Sequence, residues 1–146
     1  MADNTDYGNV LWQQQKGVGN VGSYQISSLP YLSSSIEVPI AEGVPVKIEF
    51  PNVTRFVLVR NELAADATSV PLRFGFSHLG VSGSGTNYYK LNNGDAFSAD
   101  FRVVDLFLIS NTEGALASAS VVAGLTTIPR QSFASFNNWS GSVGIG

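Results

Sequence analysis

Between Ile36 and Ile128, apolar residues recur at every second position or in short blocks, each bounded by Gly, Pro, Asn or Asp, and nowhere hold a helical spacing. That is the signature of short strands, and it predicts eight of them: 36–40, 44–50, 56–61, 70–77, 88–91, 96–103, 106–111 and 117–127. Two kinds of strand are distinguishable. In Val44-Pro-Val-Lys-Ile-Glu-Phe50 the even positions are apolar while Lys47 and Glu49 point the other way, and in Phe97-Ser-Ala-Asp-Phe-Arg-Val103 the odd positions do the same. Such strands bury one face. By contrast, Phe56-Val-Leu-Val59 and Leu106-Phe-Leu-Ile109 are apolar on both faces, which predicts central strands covered on both sides, by a second sheet and by a terminal arm or a neighbouring subunit.

An internal repeat adds a constraint on architecture. Aligning Gly43 with Gly94 places Glu49-Phe50 on Asp100-Phe101, and a single-residue gap then brings Phe56-Val-Leu-Val59 onto Leu106-Phe-Leu-Ile109. Further on, Leu72-Arg-Phe-Gly75 falls on Val121-Val-Ala-Gly124. Two four-strand units of this kind can bury their apolar faces against each other, and regularly spaced short strands with turn signals imply a sandwich or jelly roll in any case. The expected fold is all-β: a two-sheet antiparallel, jelly-roll-like β-sandwich over 24–128, with extended arms at 1–23 and 129–146.

The arms have a composition of their own. Residues 1–23 carry Gln13-Gln-Gln15 and a glycine series, and 129–146 show neither strand nor helix period. Yet both tryptophans, Trp12 and Trp139, lie in these arms, with Tyr24, Phe133 and Phe136 at or near them. A side chain of that size can bury about 150–250 Å², so the expectation is that the arms dock, either across their own sandwich or on a neighbour as interface anchors.

Chemistry-bearing motifs are sparse. Gly17-Val-Gly-Asn-Val-Gly22 matches a dinucleotide fingerprint, but Ser23-Tyr-Gln-Ile-Ser-Ser-Leu-Pro30 cannot open the helix on which the pyrophosphate would rest. The glycine-rich 80–85 stretch has neither the frame of a nucleophile elbow nor the lysine of a phosphate loop, and reads as a loop. His78 is the single histidine, with no marked serine or carboxylate partner, and reads as a surface or interface residue. Glu49 and Asp100 occupy matching repeat positions but alternate with inward apolar residues, so they read as outward polar groups rather than an acid–base pair. With no cysteine, one histidine and scattered acids, no metal or cofactor is expected, and no enzymatic activity. Asn52-Val-Thr54 and Asn138-Trp-Ser140 are glycosylation sequons that matter only on export, and the opening Met-Ala-Asp-Asn-Thr-Asp-Tyr lacks a cleavable export signal, predicting synthesis in a cytosol. One cluster retains a binding interpretation: Tyr88-Tyr89 after the glycine loop, with Asn87, Asn92 and Asn93 close by, pairs aromatic faces with amides as carbohydrate sites do.

Charge narrows the list of partners. Only 13% of residues are charged, where an ordinary domain carries roughly 25%, and 18 Ser, 11 Asn and 15 Gly take their place. A net charge of −3 without a basic cluster gives no footprint for nucleic acid, and no apolar run approaches a membrane span. Charge depletion of this kind suits a subunit that buries much of its surface in an assembly. The stretch Tyr89-Lys-Leu-Asn-Asn-Gly-Asp-Ala-Phe-Ser-Ala-Asp-Phe-Arg-Val-Val-Asp-Leu-Phe-Leu-Ile-Ser-Asn111, followed by Ala119-Ser-Val-Val-Ala-Gly-Leu125, resembles the small single-sandwich virion proteins of tailed bacteriophages, of the capsid decoration or cement type. The similarity covers about a third of the chain and is one of strand-and-turn style, so no family binding residue carries over. It implies a virion location and a jelly-roll-like, commonly trimeric subunit, one that stabilises a shell through contacts with its own copies and with major capsid or other virion proteins. A receptor- or glycan-binding module of a virion or tail, built on Asn87, Tyr88 and Tyr89, is the other reading.

Overall fold

A computed structural model describes residues 29–62, 70–83 and 85–132. It contains β1 (Leu29–Val38), β2 (Val46–Glu49), β3 (Asn52–Asn61), β4 (Leu72–Gly75), a one-turn helix α1 (His78–Val81), β5 (Tyr89–Leu91), β6 (Ala96–Ala99), β7 (Asp105–Ser110) and β8 (Ala117–Pro129). Two four-stranded antiparallel sheets result, one ordered β1-β8-β3-β6 and the other β2-β7-β4-β5. The fold is the expected two-sheet β-sandwich.

The pairing has a simple rule. β1 pairs with β8, β2 with β7, β3 with β6 and β4 with β5, as if one long hairpin had been rolled up, and the β3–β8 and β4–β7 ladders knit the roll into two sheets. This is jelly-roll wiring. The repeat seen in the sequence corresponds to it in an unexpected way. Advancing every strand by four positions turns the order β1-β8-β3-β6 into β5-β4-β7-β2, which is the second sheet. Each repeat copy therefore contributes two strands to each sheet, and the expectation that a copy forms a sheet by itself is corrected: β2 and β4 lie opposite β1 and β3 because rolling sends alternate strands to alternate layers.

The core lies between the layers. Val57, Val59, Val121, Ala123 and Leu125 from the first sheet meet Ile48, Leu72, Phe74, Leu91, Leu106 and Leu108 from the second. Thr54, buried at the head of β3, donates its hydroxyl to the Phe101 carbonyl at 2.5 Å and accepts from the Val103 amide at 3.0 Å, fixing the chain that leaves β6. Asn61, at the other end of β3, donates to the carbonyls of Val70 at 3.0 Å and Leu91 at 3.1 Å, and so rivets one sheet to the other. The turn after β5 closes through the Asp95 amide on the Asn92 carbonyl, with Gly94 at φ 81°, a value side chains resist.

The doubly apolar strands find two different solutions. In the second sheet Ile109 points away from the core, yet it is fully buried, because α1 packs over the outer face of β4 and β7 with Val81 also fully buried. Gly75 permits that approach: a Cβ there would lie 2.6 Å from Val81 Cγ1 and 2.7 Å from the Asn87 carbonyl oxygen. In the first sheet, the outer face carries the cross-strand row Leu32–Val122–Leu58–Ser98, flanked by Pro30–Gly124–Phe56. Leu32 is 73% exposed there, with Phe56, Leu58 and Val122 half-buried. Farther along the same face the surface turns polar, where the Glu62 carboxylate accepts from the Ser118 and Ser120 hydroxyls and from the Ser35 amide.

Two boundaries differ from expectation. β1 begins seven residues earlier than predicted, with a bulge between Ser33 and Ile36 and Ser35 at φ 54°. β8 runs through 129, the residue assigned to an arm, and Arg130 is fixed behind it: its amide donates to the Pro51 carbonyl, and its guanidinium meets Asp105 at 2.7 Å and the Val104 carbonyl at 2.7 Å. The glycine loop also contains more order than its composition suggests, since Ser77 Oγ accepts from the Gly80 amide and caps α1.

Candidate functional site

β5 and β6 are edge strands of opposite sheets, three and four residues long, and together they form one open margin of the sandwich. Strands this short do not close the gap between the layers. Alternation turns Phe74 and Tyr89 inward from one sheet and Phe97 inward from the other, and at the margin these rings meet: Tyr89–Phe97 at 5.0 Å, Phe74–Phe97 at 5.5 Å and Phe74–Tyr89 at 5.8 Å between centroids. Phe76 and Phe101 extend the cluster edge-to-face at 5.1 Å. Between them opens a cavity of about 320 Å³, lined by these rings together with Gly75, Thr86, Asn87 and Tyr88. None of the lining residues is charged.

The rim is held from behind. Arg73, on the outer face of β4, donates to Asn111 Oδ1 at 2.6 Å and to the Val81 carbonyl at 3.3 Å, and its guanidinium carbon lies 4.7 Å from the centre of the Tyr88 ring. A cation over an aromatic face at that range is attractive, and here it orients Tyr88, which remains 37% exposed beside Tyr89 at 53%. The Asn87 amide donates to the Gly80 carbonyl, so α1 sets the height of this wall.

The sequence-derived trio Asn87, Tyr88 and Tyr89 therefore comes together at one cavity, while Asn92 and Asn93 belong to the β5–β6 turn and do not line it. Phe74, Phe97 and Phe101 line the cavity too, although their period marks them as core, and Arg73 behind the wall has no sequence signal at all. The other sequence candidates lie elsewhere. Trp12, Tyr24, Phe133, Phe136 and Trp139, with the 17–22 glycine motif and the second sequon, are outside the described residues. His78 opens α1 and sets its ring edge-to-face on Phe107 at 6.3 Å. Glu49 lies in β2 of the second sheet and Asp100, exposed, just past the end of β6 of the first, so they belong to different sheets; Glu49 pairs with Lys47 at 3.0 Å, whose hydrogen bond and charge hold its carboxyl below the usual range. Asn52 donates its side-chain amide to the Thr126 carbonyl at 2.7 Å.

Among the described residues no three His, Asp or Glu side chains gather as a metal site would require, and no helix is long and apolar enough to cross a membrane. The arrangement is suited to stacking and apolar contact rather than to proton transfer. The chain matches no protein-family model and no curated protein.

Proposed function

We propose that this protein is a non-enzymatic structural subunit of a virion, a decoration or cement protein that stabilises a shell by contacts with its own copies and with neighbouring shell proteins. The observation that carries this reading is the apolar row Leu32–Val122–Leu58 on the outer face of the first sheet, with Leu32 73% exposed, where the second sheet has α1 as its cover. An apolar row of this kind, with its outermost leucine in solvent and its neighbours half-buried, suits a surface that a neighbouring subunit covers. Jelly-roll wiring agrees with a shell protein but supports it by analogy alone, because the same fold serves capsids and lectins. Nor do the sheet margins invite association through strand pairing: β1 carries Pro30 and a bulge, and β2 and β5 are short and bear Lys47, Glu49 and Lys90.

Sedimentation of the purified chain beside Leu32→Glu, and incorporation of chains lacking 1–23 or 133–146 into shells, test this reading. A closed oligomer, a trimer above all, that Leu32→Glu dissociates supports it, as does a folded but unincorporated truncation. A strict monomer whose truncated forms all assemble normally refutes it. The cavity favours a second reading, a glycan-binding module in which Tyr88 and Tyr89 stack on a sugar and Asn87 helps fix it. Under that reading, Tyr88→Ala with Tyr89→Ala abolishes glycan-array binding and leaves oligomers intact; an array without hits removes it.

A further inference from the structure

The aromatic cavity lies at the end of the sandwich where the described chain both starts and stops. Leu29 pairs with Leu125, at the level of Thr54, and Arg130 donates to the Pro51 carbonyl. Thr54 in turn holds the Phe101 carbonyl at 2.5 Å, and Phe101 lines the cavity. From Pro51 to Thr54 the chain spans at most about 10 Å, so adding the two hydrogen bonds and the side-chain atoms places Arg130 within about 20 Å of the cavity wall. Six further residues, to Phe136, reach about 20 Å when fully extended, and nine, to Trp139, reach about 30 Å. Even at that upper limit the chain to Phe136 is long enough to meet the wall, and to Trp139 longer than needed.

Chemistry selects the same segment. Residues 131–146 contain no charged side chain and present three aromatic rings, and the cavity wall is neutral and largely aromatic. The segment before β1, by contrast, carries Asp3, Asp6 and Lys16 around its tryptophan, Trp12. Size points the same way. At about 320 Å³ the cavity is at the low end for a small-molecule site, and accepts a large ring or two more readily than an oligosaccharide with hydroxyls to satisfy on all sides.

We infer that the cavity at the β5–β6 margin is the seat of the chain's own C-terminal aromatic segment, with Trp139 as the ring that enters between Tyr89, Phe97 and Phe101. The seat is intramolecular, because a short tether gives the segment an effective concentration in the millimolar range that another copy at micromolar concentration cannot match. It belongs to the subunit before any partner is met, and does not depend on the virion reading.

The chain has two tryptophans and no cysteine, which makes the test clean. In full-length protein carrying Trp12→Phe, Trp139 should show blue-shifted emission and several-fold weaker acrylamide quenching than in urea. Adding Tyr89→Ser, a change at a half-exposed position, should restore quenching while far-UV circular dichroism is unchanged. Thr86→Cys combined with Asn138→Cys should oxidise to a disulfide within one chain, and this measurement decides if Tyr89→Ser disturbs the fold. The inference is overturned by Trp139 as quenchable in the native chain as in urea. It is equally overturned if the Thr86→Cys, Asn138→Cys protein forms disulfides only between chains, which would make a second copy the occupant. Either result leaves the assembly reading standing, since that is judged by oligomeric state and incorporation.

Discussion

Asn61 offers the sharpest test of how the two sheets are held in register. Its side chain is 1% exposed and donates to the Val70 and Leu91 carbonyls, and its Oδ1 accepts from none of the described groups, so its contribution rests on those two donated bonds. Asn61→Ala removes both. Each lost bond is worth about 1 kcal/mol net, and each carbonyl left buried without a donor adds about 1 kcal/mol or more, so the loss should be about 3–4 kcal/mol. With a urea dependence of about 1.5–2 kcal/mol/M, the unfolding midpoint should fall by about 2 M. Asn61→Asp preserves the shape but replaces the donors with a carboxylate facing two carbonyl dipoles. Such a group holds its proton more tightly folded than unfolded, so this variant should be most stable below the ordinary carboxylate range and lose stability as pH rises above it. Asn93→Ala, in the exposed turn, serves as control and should cost less than about 0.5 kcal/mol. Because Leu91 belongs to β5, amide exchange in β5 should accelerate in Asn61→Ala ahead of global unfolding. A midpoint for Asn61→Ala within about 0.3 M of the parent would refute the rivet.

Gly75→Ala should destabilise by about 1–3 kcal/mol, since its Cβ overlaps Val81 Cγ1 and the Asn87 carbonyl, and Val81→Ala should recover part of that loss in a double-mutant cycle read by thermal denaturation; strict additivity would show that the contact is not the cause. Glu62 is held below the ordinary carboxylate range by the Ser120 hydroxyl first, against burial as the next largest effect, with lesser help from the Ser118 hydroxyl, the Ser35 amide and Arg60. Its contribution is therefore present above the unfolded value near 4.5 and is lost as pH falls through the lower folded value; urea titrations from pH 6 to 3 should show Glu62→Gln with a shallower acid-side decline than the parent, and parallel curves would count against it.

Much of the sandwich was legible because strand alternation is a local property. The core faces of β2 and β6 follow directly from Val46, Ile48 and Phe97, and the doubly apolar β3 and β7 are indeed interior strands of their sheets. The first part of β1 was hidden, because Leu29-Pro-Tyr-Leu-Ser-Ser-Ser35 contains a proline and a serine run, and the bulge breaks its period. The helical turn α1 is too short to show a spacing, and its visible mark, Ser77 as cap, lies among other serines and glycines. The repeat was legible as similarity but not as geometry, for nothing in a residue pattern states whether consecutive strands share a layer. At the cavity, Tyr88 and Tyr89 stood out through their adjacency, whereas Phe74, Phe97 and Phe101 passed for ordinary core. They reach an open margin only because β5 and β6 end their sheets, and that is decided by long-range pairing rather than by neighbours in sequence.

The rolled-hairpin wiring also dictates a schedule. β1 hydrogen-bonds to β8, nearly a hundred residues later, whereas the layer holding β2, β7, β4 and β5 needs nothing beyond Ser110. On a ribosome that second layer can zip up while β8 is still in the exit tunnel, and β1 must wait, its backbone donors satisfied by water, until the last strand emerges. Closure of so large a loop places refolding among slow, non-local topologies, in milliseconds to seconds, and makes the late arrival of β8 the event that commits the molecule to its final shape.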